Sequence, residues 1–153
     1  MPNGIYRGVI LFVKLRILTV INIGRSMSVK FYGCRDCGNI ITYQREAQLS
    51  VHCCGNAMVE MDPNTEDASL EKHKPVIEYK GKNVMVRVGE LMHPMENDHH
   101  IQWVILETGR GYYKRHLQPG GDPVARFTLQ DDEDVRAAYE YCNLHGLWKS
   151  KSI

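Results

Sequence analysis

The chain has 153 residues, with 19 Lys+Arg against 18 Asp+Glu for a formal net charge of +1, and is 43% hydrophobic and 24% charged. These figures fit one folded core with room for a small satellite domain, and they exclude a disordered chain. A balance this near neutrality offers no electrostatic footprint for nucleic acid, and no apolar run is long and unbroken enough for a membrane-spanning helix. The unusual residues are the five Cys and seven His, because they are clustered.

Residues 1–26 carry Arg7, Lys14, Arg16 and Arg25 and no acid. Gly8 to Ile23 is apolar and β-branched, but Lys14 and Arg16 interrupt it, and Gly24-Arg25-Ser26 is a poor cleavage site. That is a weak match to a signal peptide or anchor. An extra strand or helix is an alternative. The favoured reading is that Met27 is the true start, because an ordered-looking pattern begins directly after it.

Val29 to Tyr32 and Ile40 to Tyr43 read as short strands on either side of Cys34 and Cys37. The acidic stretch Met61 to Ala68 (MDPNTEDA) reads as a linker. Beyond it the pattern has period two. Val84, Val86 and Val88 share one face of a strand, and Ile101, Trp103 and Ile105 share one face of another. Tyr113 to Leu117, Val124 to Leu129 and Ala138 to Cys142 are further strand candidates. Turn-forming stretches separate them: Lys80-Gly81-Lys82-Asn83, Thr108-Gly109-Arg110-Gly111 and Gln118-Pro119-Gly120-Gly121-Asp122-Pro123. The expected class is all-β, an antiparallel sandwich or barrel. No segment has convincing helical periodicity, although Asp131 to Ala138 could hold a turn or two.

Cys34-Arg35-Asp36-Cys37-Gly38 is a CxxC followed by glycine, and Cys53-Cys54-Gly55 follows 16 positions after Cys37. Four thiolates can complete a tetrahedral site for zinc or iron. Gly38 and Gly55 free the backbone to aim amide N–H groups at the sulfurs. A zinc ribbon normally has CxxC at both ends, whereas here the second pair is vicinal. Adjacent ligands distort the angles at the metal, which suits a redox iron better than a purely structural zinc. Spacing alone leaves the metal open.

The histidines form a second constellation. His73 lies in EKHKP, His93, His99 and His100 in HPMENDHH, and His145 three residues after Cys142 in CNLHG. His52 and His116 stand alone and read as structural or solvated. Imidazole suits ferrous iron, and a thiolate adds electron density to it. Five protein donors on an ion that prefers six leave one open position, as a catalytic metal needs.

The Cys module followed by EKHKPVIE, HPMENDHHIQW and CNLHGLW resembles desulfoferrodoxin, the two-iron superoxide reductase family, over roughly Met27 to Lys149. The resemblance implies a desulforedoxin-like (rubredoxin-like) iron domain over 27–62, then a superoxide reductase domain over 63–153. The latter would be an immunoglobulin-like, seven-stranded antiparallel β-sandwich. It implies two irons per chain. The first would take Cys34, Cys37, Cys53 and Cys54. The catalytic iron would take His73, His93, His99, His145 and Cys142, with His100 as a neighbour. Glu71 matches the carboxylate that can occupy the sixth position of the oxidised iron, and Lys72 the lysine beside the open position.

The implied reaction is one-electron reduction of superoxide to hydrogen peroxide, with electrons from a rubredoxin-like donor. The implied setting is a cytoplasmic homodimer with no nucleic-acid or membrane partner. Trp103 and Trp148 read as core or shielding residues rather than electron carriers. The alternatives are a non-catalytic iron electron-transfer protein and a zinc-ribbon interaction module. A metal-dependent hydrolase is weaker, because four His and one Cys crowd a Lewis acid. The basic residues 1–26 depart from the family pattern.

Overall fold

The computed structural model describes residues 28–43, 50–64 and 70–151. The basic segment before Met27 lies outside the described residues, as does the end of the acidic linker.

Five two-residue strands make the small N-terminal part: β1 (Tyr32–Gly33), β2 (Ile40–Ile41), β3 (His52–Cys53), β4 (Asn56–Ala57) and β5 (Val59–Glu60). They pair antiparallel as β2-β1-β5 and β3-β4. Cys-Gly turns separate β1 from β2 and β3 from β4: Gly38 and Gly55 have φ of 71° and 82°, where glycine meets no Cβ penalty.

Seven longer strands follow a single helical turn, α1 (Leu70–His73). They are β6 (Pro75–Lys80), β7 (Asn83–Val88), β8 (Ile101–Thr108), β9 (Gly111–His116), β10 (Val124–Thr128), β11 (Val135–Cys142) and β12 (Gly146–Lys151). One sheet has the order β10-β7-β6, the other β12-β11-β8-β9. This is the expected seven-stranded sandwich. Val84, Val86 and Val88 share a buried face and meet Ile101, Val104, Leu106, Ala138 and Cys142 of the opposite sheet, with Ala125 and Phe127 beside them.

Two readings of the sequence need correction. Ile101 does not share a face with Trp103 and Ile105. The β11–β8 register passes from Tyr141↔Trp103 to Cys142↔Ile101, skipping Gln102, and that bulge turns Ile101 into the inter-sheet core. Asp131 to Ala138 holds no helix. Asp132 turns with φ 63°, and β11 begins at Val135. The described part of the linker, Met61 to Asn64, is docked: Asn64 donates its N–H to the Leu147 carbonyl, and the Lys149 N–H donates to Asn64 Oδ1 at 2.8 Å.

A second core lies on the outer face of the four-stranded sheet. Phe31, 2% exposed, packs there with Trp103, Ile105, Ala137, Tyr139 and Leu147. Its ring is 5.4 Å from Trp103 and 5.2 Å from Tyr139. Glu107 accepts hydrogen bonds from the Val29 N–H at 3.0 Å and the Tyr139 hydroxyl at 3.1 Å. The N-terminal part is therefore seated on the sandwich by the Phe31 ring and the Glu107 carboxylate, with Val29, Ile40 and Met61 packed beside them. That is why β8 is buried on both faces.

Candidate metal centres

Cys34, Cys37, Cys53 and Cys54 come together with all four sulfurs within 4.8 Å of one another. The β3–β4 hairpin supplies the vicinal pair. Cys54 adopts φ 52°, a left-handed backbone that a non-glycine residue rarely takes, and Gly55 follows at 82°. That pair of turns lets two consecutive side chains reach one point. On the other side, the Gly38 N–H donates to the Cys34 carbonyl at 3.0 Å, and the Cys34 N–H to the Asn39 carbonyl at 2.8 Å. Amide N–H groups of Cys37 and Asp36 hold the Cys34 thiol down to about 7. Cys53 and Cys54 go the other way, each chiefly through its hydrogen bond with Cys37, which pushes Cys53 up to about 12. Only a cation can keep four such sulfurs ionised together.

The second group is His73, His93, His99, His145 and Cys142, whose donor atoms also lie within 4.8 Å of one another. His73 ends α1, and the Lys74 N–H after it donates to the Leu70 carbonyl at 2.9 Å. His93 and His99 come from the β7–β8 connection. Cys142 and His145 bracket the β11–β12 turn. His73 Nε2 is 2.9 Å from His145 Nδ1 and 3.2 Å from His93 Nε2, and Cys142 Sγ is 3.6 Å from His145 Nδ1. Atoms this close, none with a preferred donor, fit a shared cation better than a network of hydrogen bonds.

The electrostatics agree. Burial pushes His93 down to about 4, helped by His73, His99 and His145 and opposed by the bond to Pro94. His93 Nδ1 lies 2.6 Å from the Pro94 carbonyl, which fixes Nδ1 as the donor and leaves Nε2 a lone pair. His99 Nε2 is buried with no hydrogen-bond partner. An orphaned imidazole nitrogen aimed into a cluster of other imidazoles is what a metal ligand looks like without its ion. Burial pushes the Cys142 thiol up, so its ionisation also calls for a cation. The residues present fit iron in both groups.

His100 lies outside the cluster. Its Nδ1 is 3.1 Å from the Glu96 carbonyl, and its N–H donates to Asn143 Oδ1 at 2.8 Å. His52 and His116 are exposed and belong to neither group, although His52 precedes Cys53 in β3. Glu71 and Lys72 are exposed beside the buried His73.

A desulfoferrodoxin family model matches residues 65–151. The desulfoferrodoxin of Syntrophotalea carbinolica is 44% identical over 124 residues, covering 80% of this chain and 96% of that protein. The desulfoferrodoxin homolog of Archaeoglobus fulgidus is 40% identical over 122 residues, with the same coverage. The chain belongs to the desulfoferrodoxin family. The superoxide reductase of Treponema pallidum is a structural neighbour of this desulfoferrodoxin fold, at TM-score 0.69 and 37% identity. It is covered over 100% of its length and covers 82% of this chain. With both donor groups assembled in a desulfoferrodoxin, the protein carries two irons per chain.

Sequence reasoning missed the residues that hold the ligands in place. Asn143 ties the Cys142 turn to the His99 loop, donating Nδ2–H to the Asp98 carbonyl at 2.8 Å while accepting the His100 N–H. Trp148 stacks on His73 at 4.7 Å and donates Nε1–H to the His145 carbonyl at 2.9 Å. It is the shielding residue the sequence suggested, with an orienting hydrogen bond that no pattern announces. Glu140 points into the inter-sheet core beside Cys142, with both oxygens lacking a partner, and burial holds its carboxyl well above the usual range.

Proposed function

We propose that this protein is a superoxide reductase, and that His73, His93, His99, His145 and Cys142 hold its catalytic iron. The observation that carries the reading is the convergence of four imidazoles and one thiol on a point beside exposed Lys72. Ferrous iron, when bound there, supplies the single electron that, with one superoxide and two protons, gives one hydrogen peroxide.

The chain's own residues do the rest. His73, His93 and Cys142 are buried, whereas His99 and His145 are half-buried, so the cluster meets solvent on one side. In this reading exposed Lys72, whose charge is felt by half-buried His99, draws in a small anion and raises its local concentration. It also orients water for proton delivery. In this reading Glu71 covers the site after oxidation and excludes other anions. Cys142, as thiolate, adds electron density that favours release of the reduced product.

The test is pulse radiolysis of the reduced protein, with both products measured. One peroxide per superoxide, and no dioxygen, is expected. Dioxygen evolution, or a reduced centre that superoxide fails to oxidise, rejects the reading.

The second group, Cys34, Cys37, Cys53 and Cys54, takes the other iron. The division into residues 27–62 and 63–153 is supported by the sheet topology and by a family match beginning at residue 65. The donor is a small one-electron protein of rubredoxin type, tested by reoxidation of reduced rubredoxin in the presence of superoxide. The working form is a cytoplasmic homodimer, for which light scattering must give twice the 17.6 kDa chain mass. No helix among the described residues is long and apolar enough to cross a membrane.

A further inference from the structure

We infer that Arg87 is the positioning residue for the Glu71–Lys72 turn, acting through the loop Gly89–Leu91. The inference rests on the roles proposed above for Glu71 and Lys72.

α1 is four residues long, a single turn that cannot hold its own orientation. What orients it is the loop that leaves β7. The Leu91 N–H donates to the Glu71 carbonyl at 3.1 Å, and the Gly89 N–H to the Lys74 carbonyl at 3.2 Å. Between those two bonds, buried Gly89 lies directly against Lys72. A Cβ on Gly89 would stand 2.6 Å from the Lys72 carbonyl oxygen and 2.3 Å from that of Leu91. Gly89 also has φ 82°, so the position excludes a side chain twice over.

The loop is in turn held by Arg87. Its Nη1 donates to the Gly89 carbonyl and, at 3.1 Å, to the Glu90 carbonyl. Its Nη2 reaches Glu78 Oε1 on neighbouring β6 at 3.5 Å, which aims the guanidinium. The same loop runs on to His93, whose N–H donates to the Val88 carbonyl at 3.3 Å. One arginine thus sets the height of the two exposed charges over the metal cluster, from a strand that contributes no ligand.

The experiment compares iron-loaded wild type, Arg87→Gln, Arg87→Lys, Glu71→Ala/Lys72→Ala and the triple variant. Four quantities are read: azide affinity of the oxidised centre, salt dependence of the bimolecular rate with superoxide, iron content, and amide exchange across residues 70–74. Loosening the turn lets azide compete better with Glu71 and removes the steering by Lys72. Arg87→Gln should therefore tighten azide binding about tenfold and flatten the salt dependence at full iron content, while exchange of the turn rises about tenfold. Arg87→Lys should restore part of both. In the Glu71→Ala/Lys72→Ala background, Arg87→Gln should move azide affinity and salt slope no further, because the groups it positions are gone.

Unchanged amide exchange in Arg87→Gln overturns the inference, whatever Glu71 and Lys72 do. So does an Arg87→Gln effect that adds in full to the double variant. If the double variant alone leaves azide affinity and salt slope at wild-type values, the assignment of Glu71 and Lys72 fails, and amide exchange alone decides whether Arg87 holds the turn.

Discussion

Cys142 is the residue on which the chemistry proposed for the second site turns. It ends β11 on the same inward face as Ala138 and Glu140, fully buried, and burial raises its thiol pKa. A sulfur in that position gains ionisation only from a cation beside it. Replacing it with Ser changes one atom and little volume, yet removes the only thiol of that cluster. Cys142→Ser should abolish the thiolate-to-iron charge-transfer band of the His-rich centre while sparing the band of the four-Cys centre. The visible spectrum of the oxidised variant, set beside its iron content, decides this. Survival of the first band in a fully loaded variant removes Cys142 from the ligand set. The neighbouring His99 and His100 show how much a motif settles at this scale. Spacing from His93-Pro94 favours His99, and the structure puts His99 in the cluster and His100 on the Glu96 carbonyl. By contrast, Arg87 and Asn143 act through backbone carbonyls and amides, and such partners leave no trace in residue type.

At the scale of elements, legibility followed burial pattern. β7 was readable because one face is buried and the other partly solvated, so Val84, Val86 and Val88 alternate cleanly with less buried residues. β8 was readable as a strand but not in its facing, because a second core covers its outer side and a bulge flips Ile101. β6 was missed: it opens on Pro75 and carries Glu78 and Lys80 on an edge strand, where polar residues blunt the edge. β12 was missed because CNLHGLW was read for its ligands, and the ladder to β11 begins within it, at Gly146. The β10–β11 turn carries a device of its own. Glu133 accepts bonds from the Thr108 hydroxyl at 2.9 Å, the Tyr113 hydroxyl at 2.5 Å and the Gln130 N–H at 2.9 Å, tying the β8–β9 hairpin to that turn. The bond from Tyr113, then those from Gln130 and Thr108, hold its carboxyl below the ordinary 4.5. A lowered carboxyl pKa stabilises the fold above the unfolded value, and that stability is lost as pH falls through the folded one. Glu133→Gln should therefore lower the unfolding midpoint at pH 7, with the deficit closing only as pH drops below 4.5. Thermal unfolding followed across pH 3 to 7, in roughly unit steps, checks it. A deficit that persists unchanged at the acid end means that the carboxylate charge contributes nothing.

For the molecule as a whole, the question is how a part built from two-residue strands stays folded and seated. So few residues cannot bury enough apolar surface alone, and a metal site is one of the usual remedies. The structure adds a second, in Phe31. This side chain enters from the N-terminal part, three residues before Cys34, and is 2% exposed on the outer face of the four-stranded sheet. There it meets Trp103 and Tyr139, whose hydroxyl shares Glu107 with the Val29 N–H. Truncating a buried Phe to Ala typically costs about 3–5 kcal/mol. The inter-sheet core, with its Val84, Val86, Val88 and Phe127, does not include Phe31, so that cost should fall on the seating rather than on the sandwich. Phe31→Ala should leave the charge-transfer band of the His-rich centre intact while exposing the chain near residue 64 to limited proteolysis. It should also make the four-Cys iron easier to remove with a chelator, because release of the plug frees the turn that carries Cys34. The measurement is proteolysis and chelation followed at the two visible bands together. Equal loss of both irons would show a single cooperative unit. Unchanged protection of the linker would show that metal ligation, and not the plug, keeps the N-terminal part in place.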